Sequence, residues 1–332
     1  MELVYTGDKS FLRDRDRINV TWRINRLCNF ECWYCIEHER DRRLLSYQDA
    51  LKVVDYLSKI DKKFIRLNIT GGEPTLYPRF LNVVAAILDS ISPETRLHFN
   101  LWTNLSANIQ MYQEFYNLCS QYDNVEPGII PGFHKESMKF EAYEQKWKAL
   151  KDYGIGKMLF TVYENDCFGD VVKAKDYPHI IRAVKGKEEV MENVDMDFGH
   201  FHYYYEPISI FYKDGKYYYS NSLETKDVNK FVCKAYEYNL YIDDDALAYA
   251  CPRVTRNVKT RPYNLLDNSD VERLLKRDSM VCPLTNCTCE WWIPKFSMGE
   301  YNKLKDILDL DYLDSIEEID REGIDVREGM PT

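Results

Sequence analysis

The segment CNFECWYC, Cys28 to Cys35, constrains this chain more than any other stretch, because it places three thiols within eight residues in a C-x3-C-x2-C spacing. Soft thiolates that close together suit an iron–sulfur cluster or a zinc ion. A cubane cluster is usually held by four cysteines, so a loop with three leaves one iron without a protein ligand and open to chemistry. Tetrahedral zinc, which also takes closely spaced cysteines, stands as the alternative for this loop taken alone.

The loop directly follows Ile18 to Ile24, whose alternation reads as a strand. Further on, the apolar strand Phe64 to Ile69 runs into Thr70-Gly71-Gly72-Glu73-Pro74. Two consecutive glycines at a strand end let backbone approach a ligand closely, and Glu73 offers an acceptor for an ammonium group. A plain strand-to-helix turn explains the glycines but not both motifs in this order, so the pair favours the cluster.

On these residues the chain resembles the radical S-adenosylmethionine (SAM) superfamily. Cys28, Cys32 and Cys35 match its cluster loop, Tyr34 the aromatic residue before the third cysteine, and Gly71-Gly72-Glu73-Pro74 its methionine-binding turn. The resemblance implies a [4Fe–4S] cluster whose open iron chelates the amino and carboxylate groups of SAM and reduces it to methionine and a 5′-deoxyadenosyl radical. Thr103 and Asn104, after the third strand, match a Thr-Asn pair that faces SAM in family members, with Leu105 where the family has glycine. His134, past the fourth strand, is the candidate catalytic residue and, with Asn165 past the fifth, a candidate to touch SAM or substrate. A hydrogen-bonded structural role is the alternative for such a lone histidine.

The pattern between the motifs alternates strand and helix. Ser46 can cap a helix with the stripe Ala50, Val53, Val54 and Leu57. Helices near 79–90 and 108–118 alternate with strands at 96–102 and 125–130. A helix from Lys139 carries Phe140, Tyr143, Trp147 and Leu150 along one side as core packing. A strand at 157–163, a helix at 176–185 and a strand within 190–206 complete the series. Such alternation predicts a parallel sheet with helical crossovers. Five or six units are too few for a closed eight-stranded barrel and match the partial (β/α)6 barrel that the resemblance implies, over residues 17–200, after a lead-in at 1–16. Ligands of such folds gather at the carboxyl ends of strands, where both motifs lie.

From residue 201 to 299 the pattern changes to short tyrosine-rich strands. Asp214-Gly215 between Tyr212 and Tyr217 predicts a hairpin turn. Cys233 and Cys251 flank an apolar strand-turn-strand with Asp243, Asp244 and Asp245 at its bend, and Cys282, Cys287 and Cys289 follow. This cysteine-rich region resembles the auxiliary-cluster extension called a twitch domain, a relative of the SPASM domain. The resemblance implies a second [4Fe–4S] cluster on Cys233, Cys251, Cys287 and either Cys282 or Cys289, with structural zinc as the alternative. Cys119 and Cys167 read as buried thiols, and residues 300–332 as a helix and tail.

Composition narrows the partners. A net charge of −10 gives no broad basic footprint for duplex nucleic acid; the runs at Arg40 to Arg43 and Arg253 to Arg261 read as solvated faces. No apolar run spans a bilayer and the N-terminus has no signal core, so a cytoplasmic protein with reduced thiols is expected. The expected function is a radical SAM enzyme that abstracts hydrogen to oxidise or cross-link a peptide, with flavodoxin or ferredoxin as electron donor. A small-molecule substrate (sugar, aminocyclitol or nucleotide) is the rival within that class, and a non-catalytic metal-bound scaffold the rival outside it.

Overall fold

The computed structural model describes residues 1–8, 16–32, 35, 44–134, 137–155, 159–163, 179–183, 207–221, 231–251, 261–277, 279–281, 295–299, 301–304 and 317–318. Its strands are β1 (Glu2–Asp8), β2 (Arg17–Arg23), β3 (Phe64–Thr70), β4 (Arg96–Thr103), β5 (Val125–Phe133), β6 (Leu159–Tyr163), β7 (His179–Ala183) and β8 (Pro207–Lys213). They continue as β9 (Lys216–Ser220), β10 (Phe231–Cys233), β11 (Asn239–Ile242), β12 (Leu247–Tyr249), β13 (Tyr263–Asn264), β14 (Met280–Val281), β15 (Lys295–Ser297) and β16 (Glu317–Glu318). The helices are α1 (Tyr47–Ser58), α2 (Phe80–Ser90), α3 (Ile109–Cys119), α4 (Phe140–Asp152), α5 (Ala235–Tyr238), α6 (Asn268–Leu275) and α7 (Tyr301–Leu304).

Strands and helices assemble into an α/β fold with two sheets. The larger has nine strands in the order β13-β12-β11-β2-β3-β4-β5-β6-β7. From β2 to β7 all neighbours pair parallel, and α1 to α4 cross between consecutive members up to β6, as the alternation predicts. Among the described residues the sheet does not close on itself. Helix packing explains the strand patterns. Ile18, Val20 and Trp22 of β2, Ile65, Leu67 and Ile69 of β3, and Leu97, Phe99 and Leu101 of β4 share one core with the apolar faces of α1 to α4. The expected stripes, Ala50, Val53, Val54 and Leu57 of α1 and Phe140, Tyr143, Trp147 and Leu150 of α4, are all buried there; each large apolar side chain so placed stabilises by about 1.5–3 kcal/mol. Ser46 caps α1 through its hydroxyl, which accepts from Asp49 N. Cys119 is buried in this core, and burial pushes its thiol up to about 12.

Three segments depart from the sequence expectation. Residues 176–185 were expected to be helical, yet His179–Ala183 is a strand paired along its whole length with β6; a short run around Ile180 and Ile181 has no decisive periodicity, and β-branched residues suit a pleat. The expected lead-in contains β1, which lies inside the second sheet, of order β14-β10-β15-β1-β8-β9-β16, paired with β8 and β15; partners more than 190 positions away leave no local trace. The strand-turn-strand near Leu240, assigned to the small cysteine-rich region, instead joins the larger sheet, because β11 runs parallel beside β2. The hairpin of β8 and β9 turns at Asp214 and Gly215, both at positive φ (52° and 84°), as a two-residue primed turn needs.

Candidate functional site

The site grows out of the β2–β3 pairing. Beyond the strand ends the parallel ladder continues: Ile24 N donates to Thr70 O at 2.9 Å, Gly72 N to Asn25 O at 3.0 Å and Glu73 N to Leu27 O at 2.7 Å. Asn25 Nδ2 donates back to Glu73 O at 3.1 Å, and a bridge between Asn25 and Leu44 closes the base of the cysteine loop. The glycine turn is thereby laced to the three residues before Cys28. A Cβ on Gly71 would lie 2.7 Å from Asn25 O, and one on Gly72 2.4 Å from Leu27 O. The close backbone approach expected of these glycines is therefore, in this structure, an approach to the chain's own cysteine loop.

Glu73 shows a second departure. Its carboxylate, expected to accept an ammonium group, is wholly buried and already committed. Oε1 accepts from Thr75 N (3.2 Å), Thr75 Oγ1 (2.6 Å) and Thr103 Oγ1 (2.9 Å), while Oε2 accepts from Asn104 N (2.7 Å). Burial raises its pKa, and the four donors oppose that rise. Pro74, also buried, opens a single 3-10 turn behind it. Glu73 thus ties the end of β3 to the end of β4.

Thr103 and Asn104 meet the cysteine loop from β4. Asn104 Nδ2 lies 3.8 Å from Cys28 Sγ and donates to Asn29 Oδ1 at 3.0 Å. Leu105, where the resembled family has glycine, is buried with φ at 59°, a left-handed conformation that costs a side-chain-bearing residue about 1–2 kcal/mol. Its carbonyl and those of Ser106 and Ala107 accept from Lys146 Nζ at 2.9, 3.1 and 3.0 Å, which holds the strained turn. Burial lowers the Lys146 pKa, opposed by the charge of Glu73. Nothing in the spacing of Lys146 on α4 signals this role.

Cys28, Cys32 and Cys35 are all half-buried on this loop, at the carboxyl end of β2. Phe30 N donates to Cys28 Sγ at 3.4 Å, and Cys35 N to Cys32 O at 3.1 Å. His134, at the end of β5, brings Nδ1 to 3.5 Å from Cys32 Sγ. Among the described residues no three His, Cys, Asp or Glu side chains converge on one point as a single ion requires; a cubane instead spreads its thiolates over separate irons. Three accessible soft donors, with Phe30 N and the Asn104 amide beside Cys28 and the His134 imidazole beside Cys32, fit such a cluster. Tyr34 and Asn165 lie outside the described residues.

A clamp with no sequence signal beyond its charges sits below the loop. Arg23 pairs with Asp243 and, at 3.3 Å, with Asp244, while Arg26 Nε reaches Asp244 Oδ1 at 2.6 Å. The acidic bend of β11 and β12 thereby grips the chain two to five residues before Cys28. Burial raises the Asp244 pKa, which the neighbouring guanidinium groups oppose.

The second cysteine set is described in part. Cys233 and Cys251 come together in one small apolar cluster with Phe231, Ala250 and Met280. Cys282, Cys287 and Cys289 lie outside the described residues, although β14, ending one residue before Cys282, pairs with β10 at Cys233.

Side chains that alternate with the core-facing ones of β2, β3 and β4 form a row of amides. Asn100 Nδ2 donates to Asn68 Oδ1 (3.1 Å), Asn68 Nδ2 to Asn19 Oδ1 (2.9 Å), Asn19 Nδ2 to Asn239 Oδ1 (2.9 Å) and Asn239 Nδ2 to the Ala250 carbonyl (3.0 Å). Trp102 Nε1 also donates to Asn68 Oδ1 at 3.2 Å. This amide row crosses β4, β3, β2 and β11 and ends beside Cys251.

Comparison with known proteins adds three findings. Residues 22–163 match the model of the Radical SAM superfamily. Among curated relatives, a GTP 3′,8-cyclase of Haemophilus ducreyi is 28% identical over 214 residues, 58% of this chain and 59% of that protein. The mycofactocin maturase MftC of Mycolicibacterium smegmatis is 35% identical over 69 residues, 20% of this chain and 17% of that protein. The chain thus spans less than two thirds of the length of these relatives. Among solved structures, a tagged form of anSMEcpe with bound AdoMet aligns with a TM-score of 0.53 at 13% identity, covering 79% of this chain and 80% of that one. Native anSMEcpe with bound AdoMet and Kp18Cys peptide aligns at 0.51, also 13% identical, covering 79% and 81%. At that identity the likeness is one of fold. No helix among the described residues is long and apolar enough to cross a membrane.

Proposed function

Since residues 22–163 of this chain belong to the Radical SAM superfamily, we propose that it is an enzyme that cleaves S-adenosylmethionine reductively and abstracts hydrogen from a polar substrate, oxidising or cross-linking a peptide. One observation carries the reading: the three-cysteine loop is laced by backbone hydrogen bonds to the Gly71-Gly72-Glu73 turn and by Asn104 to the end of β4. When bound, a [4Fe–4S] cluster with SAM at its open iron supplies the carbon-centred radical.

The chain's own residues would do the rest. Cys28, Cys32 and Cys35 would hold three irons, while Phe30 N and the Asn104 amide offset the charge on Cys28. Glu73, Thr103 and Lys146 hold the turns that face the loop. The half-buried members of the amide row, Asn19 and Asn100, with Trp102, held in place by the buried Asn68 and Asn239, would bind a substrate rich in hydrogen-bonding groups and orient it, which is where specificity must come from when the reactive species attacks almost any nearby C–H bond. Cys233 and Cys251, with Cys287 and either Cys282 or Cys289, would hold a second [4Fe–4S] cluster. A flavodoxin or ferredoxin in the reducing cytoplasm would deliver the electron.

The peptide reading draws on the Kp18Cys peptide carried by a protein of the same fold. A nucleotide substrate is the second reading, favoured by the GTP 3′,8-cyclase that matches the longer stretch. The test is anaerobic reconstitution with iron and sulfide, followed by dithionite and SAM. The wild-type chain is expected to release 5′-deoxyadenosine and Cys28→Ala none, with release stimulated by a cysteine-containing peptide rather than by GTP. Stimulation by GTP alone would favour the second reading, and zinc alone on the three thiols would refute both.

A further inference from the structure

We propose that His134 is a positioning residue of the cysteine loop: its Nδ1–H donates a hydrogen bond to the Cys32 sulfur and raises the reduction potential of the cluster held there. The inference rests on the function proposed above and adds to it the residue that tunes the metal group.

Three separate contacts fix the imidazole. Nδ1 stands 3.5 Å from Cys32 Sγ. The ring meets Phe30 edge to face, with centroids 5.9 Å apart and planes at 74°. On the other side Nε2 rests over Gly132, where an added Cβ would lie 2.9 Å away. The backbone is held as well, since the His134 carbonyl accepts from Ser137 N and Met138 N at 3.0 Å each. Gly132 at the end of β5 therefore serves as the bed for the ring, and Phe30 of the cysteine loop closes over it.

The chemistry of the sulfur sets the tautomer. A thiolate that ligates iron offers lone pairs and no proton, so the nitrogen that faces it must be the one bearing hydrogen. A donor at a ligating sulfur stabilises the extra negative charge of the reduced state more than the oxidised state, and the potential rises. Cys28 receives the same kind of support from Phe30 N and Asn104, so sulfur charge on this loop is met from β4 and β5 together.

The test compares wild type, His134→Leu, His134→Gln and Gly132→Ala after anaerobic reconstitution of the full chain. The readout is a redox titration followed by the electron paramagnetic resonance signal that changes when SAM is added, which selects the cluster with the open iron from any second one. Leu, which has no donor, is expected to shift the midpoint to more negative potential, and Gln, which keeps an amide donor, to restore much of it. Gly132→Ala keeps the imidazole but removes its bed, and is expected to shift the midpoint in the same direction as Leu even should the Leu variant fail to fold. A midpoint unchanged in both Leu and Ala variants, or no recovery with Gln, would overturn the inference while leaving the proposed function standing. A wild-type chain without any SAM-sensitive signal would overturn that function and this inference with it.

Discussion

Glu73 offers the sharpest test of how the two motifs are joined, because its carboxylate accepts from one backbone N–H on its own turn and one at the end of β4. Glu73→Ala removes the acceptor of both Thr75 N and Asn104 N. Each buried N–H left unsatisfied costs about 1–3 kcal/mol, so roughly 2–6 kcal/mol is expected from the pair. Glu73→Gln keeps one oxygen. Turned toward Asn104 N, that oxygen leaves its NH2 facing the Thr75 and Thr103 hydroxyls, which rotate to accept, and only Thr75 N loses its partner, at about 1–3 kcal/mol. Urea denaturation at constant m-value reads both costs. The pH dependence gives a second readout. Burial raises the carboxyl above the ordinary glutamate value of 4.5, so the folded chain holds this proton more tightly than the unfolded chain. The stability it contributes is full below that value and is lost as pH rises through the raised one. The cost of the Gln substitution is therefore largest in acid and shrinks toward neutrality. An Ala variant no less stable than the Gln variant, or a Gln cost that grows with pH across this window, would refute the reasoning.

Two further substitutions probe the loop from other sides. Gly72→Ala forces a Cβ to within 2.4 Å of Leu27 O; a loss of about 1–3 kcal/mol is expected from overpacking, together with less iron bound per chain after reconstitution, and full iron loading with wild-type stability would contradict it. Asp243→Asn leaves the buried Arg23 guanidinium with the Asp244 carboxylate, at 3.3 Å, as its charged partner; about 1.5–3 kcal/mol is expected from the weakened charge-assisted bond, part of it recovered in Arg23→Met with Asp243→Leu, and a double-mutant cycle with no coupling would disprove the clamp.

Short-range information accounts for what could be read without coordinates. The cysteine spacing, the paired glycines, the Ser46 cap and the apolar stripes of α1 and α4 are all set by contacts within one turn or by a period of the backbone, and these elements stand where the pattern places them. The Asp214-Gly215 turn is of the same kind, since the φ values it needs depend on those two residues alone. Periodicity failed where the run was too short to have one, at His179–Ala183.

Tertiary structure decided what joins these pieces. Residues Glu2–Asp8 look unpatterned because their partners lie near residues 210 and 296, and the acidic bend at Asp243 reads as a mere turn until β11 is laid beside β2 and meets Arg23. Likewise, the sequence presents Glu73 and the glycines as ligand-facing groups, and only the continued β2–β3 ladder shows the glycines packed against the residues before Cys28 and the Glu73 carboxylate buried. Spacing along a chain records which groups are available; which of them saturate one another is settled by strands brought together across many tens of residues, where desolvation makes each unmade hydrogen bond costly.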